Sequence, residues 1–167
     1  MNRKSNILAL DPGLREIGFA LLEGKDLADY GVKSLCRKGN HQTRPNLASE
    51  VMYRLIKDTC PDAVVLERKE IPDTPDGFRL MILIKCAIEL GRKLKVPVAE
   101  IDSNEIRIEV AGKPVASMQE MANTIASRFP ELQKCASVKD RGRRRYWSHL
   151  FTSVAAALIY QKNNAQI

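Results

Sequence analysis

Cysteines are few in the 167-residue chain, and they are far apart. The four of them form neither a CxxC motif nor a cluster with histidine: Cys36, Cys60, Cys86 and Cys135. Structural zinc sites and disulfide frameworks both require closer or more regular spacing. We therefore expect four reduced thiols, and neither a zinc site nor a disulfide framework.

Long apolar runs are also missing. Residues 1–6 are polar, and the apolar run that follows them is interrupted by Asp11. A membrane-spanning helix needs roughly 20 apolar residues, and a secretory signal needs a basic start followed by an apolar core. The sequence therefore predicts neither a signal peptide nor a membrane span, and a cytoplasmic location is the default expectation.

Negative charge is the minority charge, with 20 Asp and Glu residues against 27 Lys and Arg residues, which gives a net charge of +7. A basic surface favours polyanionic partners, because binding them releases condensed counterions. Nucleic acid is the leading candidate, although composition alone is equally consistent with a solvated basic surface. A chain of this length fits one domain, residues 1–167, and neither a repeat nor a long linker divides it.

Two short apolar runs each end at a carboxylate. Residues 6–11 (NILALD) end at Asp11, before Pro12 and Gly13, and residues 63–67 (AVVLE) end at Glu67. Continuous apolar runs are typical of strands that are buried on both faces. Residues 17–22 and 27–35 predict two further strands with a Gly-containing hairpin between them, so the first three strands should be antiparallel.

The remainder of the chain is predicted to be mainly helical. Apolar residues at helical spacing, with capping residues or proline at the ends, predict helices over residues 44–60, 77–94, 104–111, 117–129 and 146–162. Ser117 and Glu120 have the spacing of a capping box at the start of one of them. Residues 96–101 predict a further strand, and residues 139–145 predict a basic loop before the last helix.

Asp11 and Glu67 are the leading candidates for catalysis. Neighbouring parallel strands would bring these two carboxylates together at one edge of the sheet, and like charges at close range call for a cation. Cleavage of a phosphodiester by two metal ions requires such converging ligands, with the ions roughly 3.5 to 4 Å apart. Taken separately, Asp11 is equally suited to cap the turn at Gly13, and Glu67 is equally suited to pair with Arg68 or Lys69.

A family resemblance lies in residues 7–20 (ILALDPGLREIGFA). This segment resembles the first hairpin of the RuvC-type Holliday-junction resolvases of the RNase H-like superfamily: an apolar strand, Asp-Pro-Gly, a basic residue, then glycine and an aromatic residue. In that family the hairpin aspartate is a metal ligand and the next acidic ligand ends the fourth strand, as Glu67 does. Residues 106–125 are also similar to the family, so the resemblance covers nearly the whole chain.

The resemblance implies a fold, an activity and partners. The implied fold is α/β and RNase H-like, a mixed five-stranded sheet with helices on both faces. The implied activity is that of a structure-selective endodeoxyribonuclease that resolves Holliday junctions or related branched DNA in recombination and repair. Its cofactor would be Mg²⁺ or Mn²⁺, its partner a four-way junction or similar branched DNA, and its assembly a homodimer that nicks two strands symmetrically.

The last helix departs from the family pattern. Family members carry two acidic ligands three residues apart, or a histidine followed three residues later by aspartate, and this spacing places both on one helical face. His149 fits the first position as a metal ligand or proton carrier, with plain helix packing as the alternative. Thr152 stands at the second, where its hydroxyl would act as a poor metal ligand or through water, so the site would be one negative charge short.

Six basic residues are candidates for contacts with the DNA backbone. Four arginines stand in five positions just before the last helix: Arg141, Arg143, Arg144 and Arg145. Arg15 of the hairpin and Lys113 of the glycine-containing turn complete the set. Arginine side chains often bind backbone phosphates, but a run of arginines is also often an ordinary solvated segment.

Three hypotheses remain open from the sequence. The first is the metal-dependent nuclease that uses Asp11, Glu67 and His149. The second is a catalytically weakened RuvC-like protein that still binds nucleic acid, because Thr152 replaces an acidic ligand. The third treats residues 11–15 as the phosphate loop of sugar kinases and actin-like ATPases, which share this hairpin; it ranks last because those proteins clamp a nucleotide between two such domains.

Overall fold

The computed structural model describes residues 4–36 and 45–165. One sheet contains the five strands β1 (Asn6–Pro12), β2 (Glu16–Glu23), β3 (Asp26–Ser34), β4 (Ala63–Arg68) and β5 (Val98–Asp102). The helices are α1 (Pro45–Thr59), α2 (Pro75–Lys93), α3 (Ser103–Ala111), α4 (Met118–Arg128), α5 (Gln133–Ala136) and α6 (Arg141–Asn164). A short 3₁₀ turn, Pro130–Leu132, joins α4 to α5. Residue 44, the predicted start of the first helix, lies outside the described residues.

The strand order is β3-β2-β1-β4-β5. The first three strands pair antiparallel with one another, β1 with β2 and β2 with β3, whereas β4 is parallel to both β1 and β5. The predicted mixed five-stranded sheet, with its first three strands antiparallel, is therefore confirmed. Leu10 pairs with Leu66 at the end of the β1–β4 ladder, so Asp11 and Glu67 are the next residues on two adjacent parallel strands.

Alternate residues of the central strands enter two different apolar layers. Ile7 and Ala9 of β1 pack with residues of α3, α4, α5 and α6, and Val65 of β4 joins the same layer. Leu8 and Leu10 pack on the opposite face with residues of α1 and α2. Helices therefore cover both faces, as predicted. Because side chains alternate along a strand, Asp11 follows Ile7 and Ala9 onto the face that α6 covers.

Helix α6 begins earlier than the sequence predicted. Residues 139–145 were expected to form a basic loop, but the helix starts at Arg141, and the Asp140 side chain accepts a hydrogen bond from the Arg143 N–H. The prediction was wrong because the four arginines dominate the composition, while arginine itself is a good helix former and aspartate a good N-cap. The middle of α6 is buried, including Leu150, Phe151 and residues 153–157.

The predicted capping box at the start of α4 is confirmed. Ser117 caps α4, and Glu120 completes the capping box. The four cysteines are free thiols. Among the residues described, no helix combines the length and the apolar character needed to cross a bilayer.

Candidate active site

One cleft contains all four residues that the sequence nominated as metal ligands. Asp11 from β1, Glu67 from β4, and His149 and Thr152 from α6 line a cavity of about 760 Å³, which we call the acidic cleft. Thr152 lies one turn beyond His149, so both side chains reach the same space. The other lining residues are Arg68, Lys69, Glu70, Asp102, Ser103, Asn104, Arg107, Met118 and Ser148.

Asp11 is buried, and both of its carboxylate oxygens are engaged. The His149 ring nitrogen Nδ1 lies 2.8 Å from Asp11 Oδ2, and the Lys69 ammonium lies 2.7 Å from Asp11 Oδ1. The Gly13 N–H donates to the Glu16 carbonyl at 2.9 Å, so it is this carbonyl that closes the turn. The turn-capping interpretation of Asp11 is therefore not what the structure shows.

The surroundings of Asp11 favour its charged form. Burial by itself raises the pKa of a carboxyl group, because it removes water from the anion. The hydrogen bond with His149 and the positive charge of Lys69 outweigh that effect, and the pKa of Asp11 is lowered from its ordinary value. The cleft thus holds a desolvated carboxylate that the hydrogen bond with His149 and the Lys69 ammonium keep ionised.

Glu67 faces the same cleft but has different partners. The Ser103 hydroxyl lies 2.7 Å from Glu67 Oε1, and the Lys69 ammonium lies 3.9 Å from Glu67 Oε2. The sequence predicts Lys69 only as an alternative partner for Glu67 on an exposed strand end, and Ser103 is not among the predicted site residues. Ser103 follows β5, and the carboxyl ends of parallel strands meet at one sheet edge, so its position after a strand was the available signal.

Two glycines allow α6 to approach the first hairpin closely. A Cβ atom at Gly18 would lie 2.2 Å from the His149 carbonyl oxygen, and one at Gly13 would lie 2.8 Å from His149 Cε1. Such distances are far inside van der Waals contact, so only glycine fits at either place without a shift. The glycines of the hairpin signature therefore bring the His149 imidazole within reach of Asp11.

The donor set fits a divalent metal ion in type. Carboxylate oxygens, a hydroxyl and an imidazole are ligands that Mg²⁺ or Mn²⁺ accept. Within residues 4–36 and 45–165, however, no three His, Cys, Asp or Glu side chains already surround one point as a metal centre would. Lys69 lies between the two carboxylates, so an ion held there by Asp11 and Glu67 would replace the ammonium at Asp11 Oδ1.

Two further cavities adjoin the acidic cleft, and basic residues line both. Arg15 and Arg145 line one of about 500 Å³, which shares Lys69, Ser148 and His149 with the cleft. Arg141, Arg144 and Arg145 line another of about 500 Å³, which shares Met118 and Ser148 with the cleft. We call these the hairpin cavity and the arginine cavity. Trp147, which the sequence reasoning did not nominate, lines the arginine cavity.

Two of the predicted nucleic-acid contacts lie elsewhere. Arg143 is exposed at the start of α6 and lines none of the three cavities. Lys113 forms an ion pair with Glu120 at 2.6 Å. That pair and the hydrogen bonds of the capping box lower the pKa of Glu120 to about 2. Lys113 therefore neutralises a carboxylate of its own chain.

No protein-family model matches the chain. The crossover junction endodeoxyribonuclease RuvC of Chlamydia caviae is 26% identical over 121 residues, which are 69% of this chain and 72% of that protein.

Solved structures resemble the chain over most of its length. Thermus thermophilus RuvC in complex with a Holliday-junction substrate superposes with a TM-score of 0.71 at 18% identity, covering 92% of this chain and 91% of that one. The yeast mitochondrial Holliday junction resolvase Ydc2 has a TM-score of 0.63 at 13% identity, covering 98% and 80% respectively. At these identities the likeness concerns the fold alone, and it confirms the predicted RNase H-like fold.

Proposed function

We propose that the chain is a metal-dependent, structure-selective endodeoxyribonuclease that resolves Holliday junctions or related branched DNA; its predicted resemblance to the RuvC-type resolvases is confirmed in sequence and in fold. The observation that carries the proposal is the convergence of Asp11, Glu67 and His149 on one cleft with basic residues beside it. A recombination or repair role follows from this class of substrate.

The residues of the cleft have distinct parts in the proposed reaction. A bound Mg²⁺ or Mn²⁺ ion would activate water and offset the charge that develops on the scissile phosphate. Asp11 and Glu67 would hold the cation, and Thr152 would contact it through water. Asp11 also fixes the imidazole through Nδ1, so His149 would accept or donate a proton at Nε2, which lies 3.8 Å from Glu16 Oε2.

Branched DNA would approach along the basic residues of the adjoining cavities. Arg15 lines the hairpin cavity, Arg141 and Arg144 line the arginine cavity, and Arg145 lines both. Guanidinium groups bind phosphate in bidentate fashion, and each neutralised phosphate adds to the salt dependence of binding. Trp147 offers an aromatic surface in the arginine cavity on which a base in an unpaired strand would stack.

The homodimer expected for symmetric nicking is also part of the proposal. Helix α2 exposes two large apolar side chains one turn apart, Phe78 at 59% and Ile82 at 49%. Exposed apolar residues that share a face are typical of an interface. Sedimentation equilibrium should give twice the monomer mass for the parent, and a Phe78→Ser/Ile82→Ser variant should give the monomer mass. A monomeric parent at assay concentration would contradict the dimer.

The proposal is tested with labelled four-way junction, fork and linear duplex, each incubated in Mg²⁺ and in Mn²⁺. We expect cleavage of branched DNA over linear duplex. Asp11→Asn and Glu67→Gln should each abolish cleavage while junction binding is nearly unchanged, because they remove metal-binding charge and leave the basic surface intact. Glu131→Gln, an exposed carboxylate in the 3₁₀ turn, is the matched control and should cleave normally. Parental cleavage activity in either Asp11→Asn or Glu67→Gln would contradict the assignment of that residue to the active site.

A second candidate function is a weakened RuvC-like nucleic-acid-binding protein. Two observations favour it: Thr152 supplies a hydroxyl where a carboxylate would strengthen metal binding, and Lys69 already neutralises part of the negative charge. The same assay separates the two functions. Selective, salt-dependent junction binding without cleavage in either metal would favour the second candidate.

A further inference from the structure

Lys69 is turned into the acidic cleft although it follows the last residue of β4. Its side chain is 25% exposed, and its ammonium lies 2.7 Å from Asp11 Oδ1 and 3.9 Å from Glu67 Oε2. The preceding residue, Arg68, behaves differently: its side chain is 62% exposed and contacts Asp102 at 3.5 Å. Of these two neighbouring cations, only Lys69 bridges the carboxylates that would hold a metal ion.

The position of the ammonium has a direct electrostatic consequence. Two carboxylates shielded from water repel one another, and a cation between them relieves that repulsion. An ammonium and a divalent ion cannot both occupy the position between Asp11 Oδ1 and Glu67 Oε2, so binding of one cation excludes the other. A bound divalent ion must therefore offset both the lost ion pair and the movement of Lys69.

We propose that Lys69 is an internal counter-cation of the acidic cleft, which competes with divalent ions for Asp11 and Glu67 and so keeps their affinity low. The inference rests on the proposed function for the identity of the ion. It gives a second reason why the cleft would bind a divalent ion weakly, in addition to the hydroxyl of Thr152 at the place of a carboxylate. Lys69 is a positioning residue in this scheme, because it acts through the carboxylates. A scissile phosphate near the cleft would give the displaced ammonium a new partner.

The test is a calorimetric titration with Mn²⁺ and with Mg²⁺ in the absence of DNA. Removing the charge with Lys69→Gln should tighten divalent-ion binding about tenfold or more, the effect of losing one unit charge at this distance in a partly solvated site. Lys69→Arg keeps the charge and should keep the weak binding. Lys134→Gln removes an exposed lysine of α5, outside the acidic cleft, and is the matched control.

The outcomes are separable from those of the cleavage assay. Tighter metal binding in Lys69→Gln supports the inference even if no variant cleaves DNA, in which case the proposed nuclease activity fails alone. Equal metal affinity in the parent and in a folded Lys69→Gln variant overturns the inference, whatever the cleavage result. Should that variant not fold, ¹⁵N-lysine NMR of the parent decides: the Lys69 ammonium signal must move as Mg²⁺ saturates the cleft, and an unmoved signal overturns the proposal.

Discussion

The contact between Gly18 and His149 predicts the effect of adding one methyl group. In Gly18→Ala the new Cβ would meet the His149 carbonyl oxygen at 2.2 Å and its carbonyl carbon at 2.3 Å. Both are backbone atoms in the middle of α6, so rotation of a side chain cannot relieve the clash. The helix must withdraw from β2 by roughly 1 Å to restore van der Waals contact.

The cost should appear in two measurements. Overpacking of this kind destabilises a fold by about 1 to 3 kcal/mol, which in a chain of this size lowers Tm by about 2 to 4 °C per kcal/mol. The same withdrawal would lengthen the 2.8 Å contact between His149 Nδ1 and Asp11 Oδ2 beyond hydrogen-bond range. We therefore expect a folded variant with lower Tm and with severely reduced cleavage of branched DNA.

A matched glycine provides the control. A Cβ at Gly31, on the neighbouring strand β3, would meet only the edge of the Phe19 ring, at 3.1 Å. That ring can shift by a few tenths of an ångström, so Gly31→Ala should cost less stability and leave cleavage intact. Thermal unfolding and junction cleavage of both variants decide the matter. A Gly18→Ala protein with parental Tm and parental activity would refute the close approach of α6 to the hairpin.

Two further predictions concern surface charge. Replacing Arg144 and Arg145 together by glutamine should weaken junction binding and flatten its dependence on salt, because fewer phosphates are neutralised. Arg143→Gln is the control, because Arg143 is exposed and lies outside all three cavities. An unchanged slope of binding against salt in the double variant would contradict the contact with phosphate. The Lys113 ammonium and the α4 cap lower the pKa of Glu120 from 4.5 to about 2. The ionised Glu120 therefore stabilises the fold fully above pH 4.5, and this stabilisation is lost as the pH falls toward 2. Glu120→Gln should therefore flatten the fall of Tm in that window, and an identical acid profile would show that the ion pair does not affect stability.

The meeting of the strand-end carboxylates at one edge of the sheet could be predicted from the sequence. Asp11 and Glu67 each end a continuous apolar run, and adjacent parallel strands bring such ends together without any side-chain information. The register of the β1–β4 ladder, with Leu10 opposite Leu66, bears this out. Local pattern was sufficient here because the positions depend on the backbone alone.

The direction of the Lys69 side chain could not be predicted from the sequence pattern. A lysine in the sequence Glu-Arg-Lys-Glu is usually a solvated surface charge. Its direction into the cleft depends on how the chain leaves β4 and on the approach of α6, and both are tertiary features. The start of α6 at Arg141 was missed for a related reason, since a cluster of like charges was given more weight than the Asp140 cap.

Strand β1 should be far more tolerant of changed side chains than of changed length. Its alternate residues enter different apolar layers, and it is hydrogen-bonded to β2 on one side and to β4 on the other. Deleting a single residue between Ile7 and Leu10 would turn Asp11 from the α6 face to the face covered by α1 and α2. A carboxylate would then lie among leucines while the cleft lost a ligand. Natural variation in this strand should therefore be confined to exchanges of one apolar residue for another, with insertions and deletions falling in the connections outside the sheet.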